Sequence, residues 1–175
     1  MALALLGLRL AVGLGFAAHG AQKLFGAFGG PGIEGTAGFF EQLGLRPGKL
    51  HAWFAGTAEF GGGLLIALGL VTPFAAAALI AVMTAAVVTV HVKNGFFVTD
   101  QGYEYNLVLA AALFALAGIG AGQWSLDNVL GLDLAGTVWA IGALAIGLLG
   151  GIGAVASGRF AARRDEGHTG HPAAA

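Results

Sequence analysis

The stretch that decides the fold is residues 71–97, VTPFAAAALIAVMTAAVVTVHVKNGFF. Residues 71–90 contain no charged side chain, and His91, Lys93 and Asn94 then follow in quick succession. An apolar helix of about 20 residues is long enough to cross the hydrocarbon core of a bilayer. Ionisable groups at the end of such a helix are expensive to place in lipid and mark functional positions. We therefore predict a transmembrane helix that ends in a polar site.

The composition indicates that lipid is the solvent for most of the chain. Hydrophobic residues make up 57% of the sequence and charged residues only 10%, whereas a soluble domain carries about 25% charged residues. The net charge of −1 gives no reason to expect nucleic acid as a partner. Because the chain has no cysteine, disulfides, iron–sulfur clusters and thiolate zinc sites are excluded. The sequence also shows no haem or flavin motif, so neither group is expected.

Five apolar stretches predict an all-α, polytopic membrane helix bundle. They are residues 2–25, 52–70, 73–92, 105–122 and 134–157. The first is interpreted as a retained helix and not as a signal peptide, because it lacks a basic start and a small-residue cleavage site. Pro73 suits the first turn of the third helix. Residues 158–175 are polar and charged, so we predict a disordered tail.

The segment between the first two stretches, residues 26–50, is too long for a tight turn. Thr36 is placed to cap a short helix whose apolar face would contain Phe39, Phe40 and Leu43. Such a helix could be interfacial or re-entrant and close over the bundle. The alternative interpretation is a surface connector, and the sequence leaves both open.

The basic residues predict the orientation in the membrane. With five spans, seven of the eight Lys and Arg residues fall on one side, which the positive-inside rule makes cytoplasmic. The N-terminus would then lie outside and the tail in the cytoplasm. The eighth basic residue, Arg9, is interpreted as a residue that snorkels to the membrane surface.

The polar residues of four helices are predicted to meet at one depth, because antiparallel neighbours place the end of one helix level with the start of the next. The candidate site residues are His19, Gln22, Lys23, Glu59, His91, Asn94, Glu104, Tyr105 and Asn106. A carboxylate inside the membrane needs a cation, which makes Glu59 the most informative of them, with Lys23, His19 and His91 as available partners. The spacing matches no known metal pattern, so no metal is expected.

Each of these residues also has a structural interpretation. Glu59 and Lys23 could pair only to fix two helices together, and His91 could cap a helix end. Glu104 could be a favourable charge at a helix N-terminus, and Tyr105 could belong to an interfacial aromatic belt. The pairs Gly118/Gly122 and Gly147/Gly151 have a small-xxx-small spacing that indicates helix association, so a homo-oligomer is one expected partner besides the lipid bilayer.

Several motifs, in this order and spacing, resemble the DoxX family. The resemblance runs from about residue 8 to residue 131, which is the four-helix core of that family, with a fifth transmembrane helix and the tail beyond it. The matching motifs are HGAQKLFG at 19–26, GTAGFF at 35–40, AEFGGGLL at 58–65, LGLVTP at 68–73, VHVKNGFF at 90–97, GYEYN at 102–106 and SLD at 125–127.

The resemblance implies a small protein of the bacterial inner (plasma) membrane. The family takes its name from a subunit of a thiosulfate:quinone oxidoreductase, and other members are associated with membrane oxidoreductase complexes and with thiol or oxidative-stress handling. The positions that match family motifs include His19, Gln22, Lys23, Glu59 and His91. Asn94, Glu104 and Asn106 also match.

The first functional hypothesis is therefore a quinone-interacting subunit of a membrane oxidoreductase. In this interpretation His19, His91 and Asn94 donate hydrogen bonds to the quinone carbonyls, while the carboxyl groups of Glu59 and Glu104 carry protons. The electrons would come from the substrate or from a soluble or membrane oxidoreductase partner. The alternatives are a small-solute or proton transporter and a structural or assembly subunit of a membrane complex. Whether the chain is itself an enzyme stays open.

Overall fold

The computed structural model describes the backbone of residues 2–169 and the side chains of residues 2–164. This part of the chain is helical and contains no strand, which confirms the all-α prediction. Its α-helices are α1 (Ala2–Phe25), α2 (Gly32–Gln42), α3 (Gly48–Leu68), α4 (Thr72–Ala86), α5 (Glu104–Ile119), α6 (Leu126–Val129) and α7 (Thr137–Thr169).

Five of these helices, α1, α3, α4, α5 and α7, correspond to the five predicted spans. Helix α4 has Pro73 in its first turn, as predicted. It continues through a π-helical segment, Val87–His91, and a 3₁₀ turn, Val92–Asn94, so the third span reaches the expected length. Helix α3 begins four residues earlier than the predicted start at Ala52, at Gly48.

Among the described residues, three helical stretches are long and apolar enough to cross a membrane: Ala2–Phe25, Thr72–Asn94 and Thr137–Arg164. The apolar helix Glu104–Ile119 is shorter. Helix α3 is long but carries Lys49, His51 and Glu59, which lower its mean hydropathy. The apolar helices and the composition indicate an integral membrane bundle, while the five-span topology stays a prediction.

The predicted disordered tail is wrong for residues 158–169, which continue α7. Residues 159–164 contain alanine and arginine, which favour helix, and they extend a helix that is already formed. The backbone N–H of Arg46 donates to the carbonyl oxygen of Gly158 at 3.2 Å and holds this part of α7 against the bundle. Residues 170–175 of the predicted tail lie outside the described residues.

Helix α2 confirms that the connection between the first two spans is helical, but the predicted cap at Thr36 is wrong. Thr36 lies inside the helix, where its hydroxyl donates to the carbonyl of Gly32 at 2.7 Å and lies 3.4 Å from the carbonyl oxygen of Lys23. Thr36 and Ala37 are buried, whereas Phe39 is exposed. The packed face is therefore the small one, because α2 lies close against the end of α1 and the start of α3.

Glycines set the distance between α1 and α3. The backbone at Gly13 touches Gly63 and Ala67, and Gly20 lies against Phe60. These contacts define an antiparallel pair of helices in close backbone contact, as small residues permit.

Glycines also join α4 to α7 within one chain. Gly147 packs against Ile80, and Gly151 packs against Thr84. The two helices therefore run parallel, and the Gly147/Gly151 motif is used inside the molecule. The predicted homo-oligomer is left as a prediction.

The core lies between α1, α3, α4, α5 and α7, with α4 in contact with the other helices on several sides. Its fully buried side chains include Ile66, Leu79, Ile80, Leu113 and Leu116. We call one end of the bundle the Lys23 end; it contains the end of α1, helix α2, the start of α3, the connection between α4 and α5, and Gly158. The opposite end is the Arg9 end; it contains the start of α1, the junction of α3 and α4, and the connection between α5 and α7.

Candidate functional site

An ion pair between Lys23 and Glu59 joins α1 to α3 inside the bundle. The Lys23 ammonium donates a hydrogen bond to Oε2 of Glu59. Glu59 is buried with 3% of its surface exposed, whereas 24% of the Lys23 side chain is exposed. His19 lies one turn before Lys23, is exposed, and interacts electrostatically with Glu59.

The local sequence explains why these two side chains meet. Side chains in a helix point back towards its N-terminus, so Lys23, close to the end of α1, directs its ammonium into the bundle. On α3, Gly56 packs against Leu24. A Cβ at position 56 would lie 3.6 Å from Cβ of Lys23. The small face of α3 therefore lets α1 approach closely enough for the two charges to pair, as the sequence predicted for Glu59 and Lys23.

The register between α3 and α4 separates Glu59 from His91. Gly62 lies opposite Ala75 and Leu79, so Glu59, one turn earlier on the antiparallel helix, is level with about residue 80 of α4. His91 is about 11 residues further along, or about 16 Å at 1.5 Å per residue. The prediction that all the polar residues lie at one depth is therefore wrong for His91 and for Asn94. The reason is that α3 begins earlier than expected, which moves Glu59 deeper.

His91, Asn94 and Glu104 form a second cluster, which we call the His91 group. Nδ1 of His91 lies 2.7 Å from the carbonyl oxygen of Gln101, and Nδ2 of Asn94 donates to the same oxygen at 3.3 Å. The carboxylate of Glu104 accepts a hydrogen bond from the backbone N–H of Val98 at 3.0 Å. These contacts fix the connection between α4 and α5, so the geometry favours a structural role for His91 and Glu104.

Asn106 lies on α5 at the level of Glu59. Its side chain is buried, and its Nδ2 donates to Sδ of Met83 at 3.5 Å. A thioether sulfur is a weak acceptor, so this buried amide can donate to a better acceptor. Met83 is within one turn of the α4 position level with Glu59. We define the Glu59 group as His19, Lys23 and Glu59; Asn106 lies at about the same level, on α5, and its side chain contacts α4.

Two predicted site residues do not join either cluster. More than half of the Tyr105 side chain is exposed. The backbone of Gln22 packs tightly against Gly30 in the turn after α1, and its side chain is half-buried. Within residues 2–164, no three His, Asp or Glu side chains gather closely enough to hold a metal ion.

A buried arginine, whose burial was not predicted from the sequence, lies at the Arg9 end of the bundle. Arg9 is 1% exposed. Its guanidinium donates to the carbonyl oxygens of Ala121 and Trp124, the latter at 2.6 Å, and it interacts electrostatically with Asp127. The prediction that Arg9 snorkels to the surface is therefore wrong, because the connection after α5 folds over its side chain and supplies acceptors.

Asp127 links the same connection to the start of α4. Its Oδ1 accepts from the backbone N–H of Val71 at 2.7 Å, and its Oδ2 accepts from the backbone N–H and the hydroxyl of Thr72, at 3.2 and 2.7 Å. A carboxylate that caps a helix N-terminus is stabilised by the free N–H groups there. The motif at 125–127 was the available signal for this contact, although it does not say which helix Asp127 caps.

The fold and the buried pair define a helical bundle of the membrane type, with a polar group held between its first two long helices. A model of the family described as DoxX matches residues 4–92, about half of the chain. The chain therefore belongs to the DoxX family. The matched range includes Lys23, Glu59 and His91, while the motifs at 102–106 and 125–127 lie outside it.

Relatives in three bacteria support the family assignment. An uncharacterized membrane protein of Mycobacterium tuberculosis is 32% identical over 133 residues, covering 70% of this chain and 78% of the relative. A protein of Bacillus subtilis named "Putative oxidoreductase CatD" is 31% identical over 111 residues, covering 63% of this chain and 76% of the relative. An uncharacterized protein of Haemophilus influenzae is 33% identical over 66 residues, covering 38% of this chain and 44% of the relative. No solved structure matches the chain significantly.

Proposed function

We propose that the chain is a quinone-interacting subunit of a membrane oxidoreductase and that the quinone head group binds beside the Glu59 group. The observation that carries this proposal is the buried pair of Glu59 and Lys23 between two helices of a membrane bundle. Ionisable residues inside a membrane protein are expensive and mark functional positions. The name of the Bacillus subtilis relative, which includes the word oxidoreductase, adds support.

The Glu59 group and Asn106 supply the chemistry that a quinone needs. Reduction of a quinone to a quinol takes up two electrons and two protons, and each carbonyl oxygen becomes a hydroxyl. The Lys23 ammonium and the Asn106 amide are donors that can hydrogen-bond to a carbonyl oxygen. Glu59 in its acid form can give a proton to that oxygen and can then be reprotonated. The electrons come from a partner protein or from a reducing substrate, for which thiosulfate and thiols are the trial donors.

The His91 group is left out of the proposed head-group site. Its side chains already bind the connection between α4 and α5, and it lies about 16 Å from the level of Glu59 by the rise of a helix. The proposal therefore keeps His19, Lys23, Glu59 and Asn106 from the predicted set. It also keeps the predicted location in the bacterial inner membrane, with the Lys23 end facing the cytoplasm.

The test is binding and reduction of a soluble quinone analogue, followed optically, by the protein in nanodiscs. We compare the wild type with Glu59→Gln and with the double variant Lys23→Met/Glu59→Gln. The matched control is Lys49→Met/Glu34→Gln, which removes a second lysine–glutamate pair, 2.5 Å apart, that is largely exposed at the same end.

We expect saturable binding by the wild type and the control, and weak binding by both Glu59 variants. If the folded double variant binds quinone as the wild type does, the pair only fixes α1 to α3, which is the structural alternative. If the wild type binds no quinone but dissipates a pH gradient in vesicles in a Glu59-dependent manner, the transporter alternative replaces the proposal.

A further inference from the structure

The Arg9 end of the bundle is closed by two buried polar contacts. Arg9 of α1 binds the carbonyl oxygens of Ala121 and Trp124. Asp127, a few residues later, binds the first turn of α4. The connection after α5 is therefore fastened to α1 and to α4, and it covers the core at this end.

A continuous apolar layer separates this closed end from Glu59. On α1 and α3 the backbones touch at Gly13 and Gly63, which leaves no room for water between the two helices. The other members of the layer are buried apolar side chains of α1, α3, α4 and α5: Val12, Phe16, Ile66, Ala76, Leu79, Leu113 and Leu116. A proton crossing this layer would meet no hydrogen-bonding side chain.

The Glu59 group opens in the other direction. Lys23 lies two residues before the end of α1, and 24% of its side chain is exposed, compared with 4% for Glu59. His19 lies one turn further from the end of α1, on the outer surface of the candidate span Ala2–Phe25. In the described part of the chain, Lys23 and His19 are the titratable groups that interact electrostatically with Glu59, and both lie on α1.

We infer that Glu59 exchanges its proton with only one side of the membrane, the side of the Lys23 end, past the side chain of Lys23. This inference deepens the proposed function and rests on it for the role of Glu59 in the site. The bond that changes is the O–H bond of the Glu59 carboxyl group, and the proton goes to water at the Lys23 end. A quinone reduced at this site then takes its protons from that side alone.

The absence of cysteine from the natural sequence gives a clean experiment. Single-cysteine variants of the full chain are reconstituted in sealed vesicles and treated with a charged, impermeant methanethiosulfonate reagent on one side at a time. Lys23→Cys and Glu59→Cys report on the site. Asp100→Cys marks the Lys23 end and Gln123→Cys marks the Arg9 end, since both positions are exposed in connections between helices.

We expect Lys23→Cys and Glu59→Cys to be labelled when the reagent is on the side that labels Asp100→Cys. We expect no labelling of either variant when the reagent is on the side that labels Gln123→Cys. Labelling of either site variant from the Gln123 side overturns the inference, and so does the absence of labelling from both sides in folded protein. If the variants do not fold, a water-soluble carbodiimide is applied to each side of the wild type, and modification of Glu59 is detected by mass spectrometry. Modification from the Asp100 side alone supports the inference, and modification from the Gln123 side overturns it. The assay contains no quinone, so a failure of quinone binding alone rejects only the proposed function.

Discussion

Glu59 and Lys23 form one ion pair but differ in how deeply their side chains are buried. The Glu59 side chain is 4% exposed and the Lys23 side chain is 24% exposed. If the pair is broken, a long lysine side chain near the end of a helix can extend towards the surface, whereas the carboxylate remains in the bundle. The two single substitutions are therefore not equivalent.

We predict that Lys23→Met destabilises the protein more than Glu59→Gln does. An unpaired buried charge costs about 3 kcal/mol or more, while the loss of Glu59 costs about 1 kcal/mol because Lys23 finds another environment. Thermal unfolding in detergent measures both. The exposed pair provides the control: Glu34→Gln should change the free energy of unfolding by less than about 1 kcal/mol. Equal destabilisation by Lys23→Met and Glu59→Gln would contradict the predicted difference between the two substitutions.

At the scale of the elements, the contact between α1 and α3 holds the two halves of the site together. The contact depends on Gly13, where a Cβ would lie 2.5 Å from the carbonyl oxygen of Gly63 and 2.6 Å from the backbone nitrogen of Ala67. Gly15, two residues later on the same helix, has no neighbour within 4 Å of the position that a Cβ would occupy. The two glycines form a matched pair for mutation.

We predict that Gly13→Ala destabilises the bundle by about 1–3 kcal/mol, because the extra methyl group pushes the backbones of α1 and α3 apart. Gly15→Ala should be neutral or stabilising by up to about 1 kcal/mol, because alanine favours helix. Chemical or thermal unfolding of both variants in the same detergent measures the difference. A similar loss of stability in both would mean that α1 and α3 are not in close contact at Gly13.

The connection between α4 and α5 is a separate element with its own polar support. We predict that His91→Ala speeds amide hydrogen exchange in residues 95–103, because Gln101 loses a hydrogen-bond partner. Binding of the quinone analogue should stay close to that of the wild type, since His91 is remote from the Glu59 group. A loss of binding as severe as that of Glu59→Gln would instead return His91 to the site.

The elements show which parts of the fold the sequence could predict. Long apolar runs locate the helices because hydropathy is a local property, and Lys23 meets Glu59 because neighbouring helices are antiparallel. The depth of Glu59 relative to His91 depends on where α3 begins, which the apolar pattern alone does not define. The burial of Arg9 depends on the path of a connection more than a hundred residues away, so it could not be predicted from the residues around it.

At the scale of the whole molecule, the two ends of the bundle differ in charge and in access. Seven of the eight Lys and Arg residues belong to the Lys23 end or to the part of α7 beyond it, while Arg9 is buried at the opposite end. The positive-inside rule therefore predicts that the Lys23 end faces the cytoplasm. Because α7 runs parallel to α4, the described C-terminal part of α7 lies at the Lys23 end as well.

We predict that a green fluorescent protein fused after Ala175 is fluorescent in bacterial cells and that alkaline phosphatase fused at the same position is inactive. Both results follow if the Lys23 end is cytoplasmic, since each reporter works on one side of the membrane only. An active phosphatase fusion would mean that the orientation is reversed or that one predicted span does not cross.

The central claim is that the Glu59 group binds the quinone head group, and photolabelling tests it most directly. A photoreactive quinone analogue is bound to the protein in nanodiscs and illuminated, and the labelled peptides are identified by mass spectrometry. We expect labelling of the segments that contain Lys23, Glu59 or Asn106, and loss of that labelling in Lys23→Met/Glu59→Gln. Labelling confined to residues 95–103, or labelling that persists in the double variant, would contradict it.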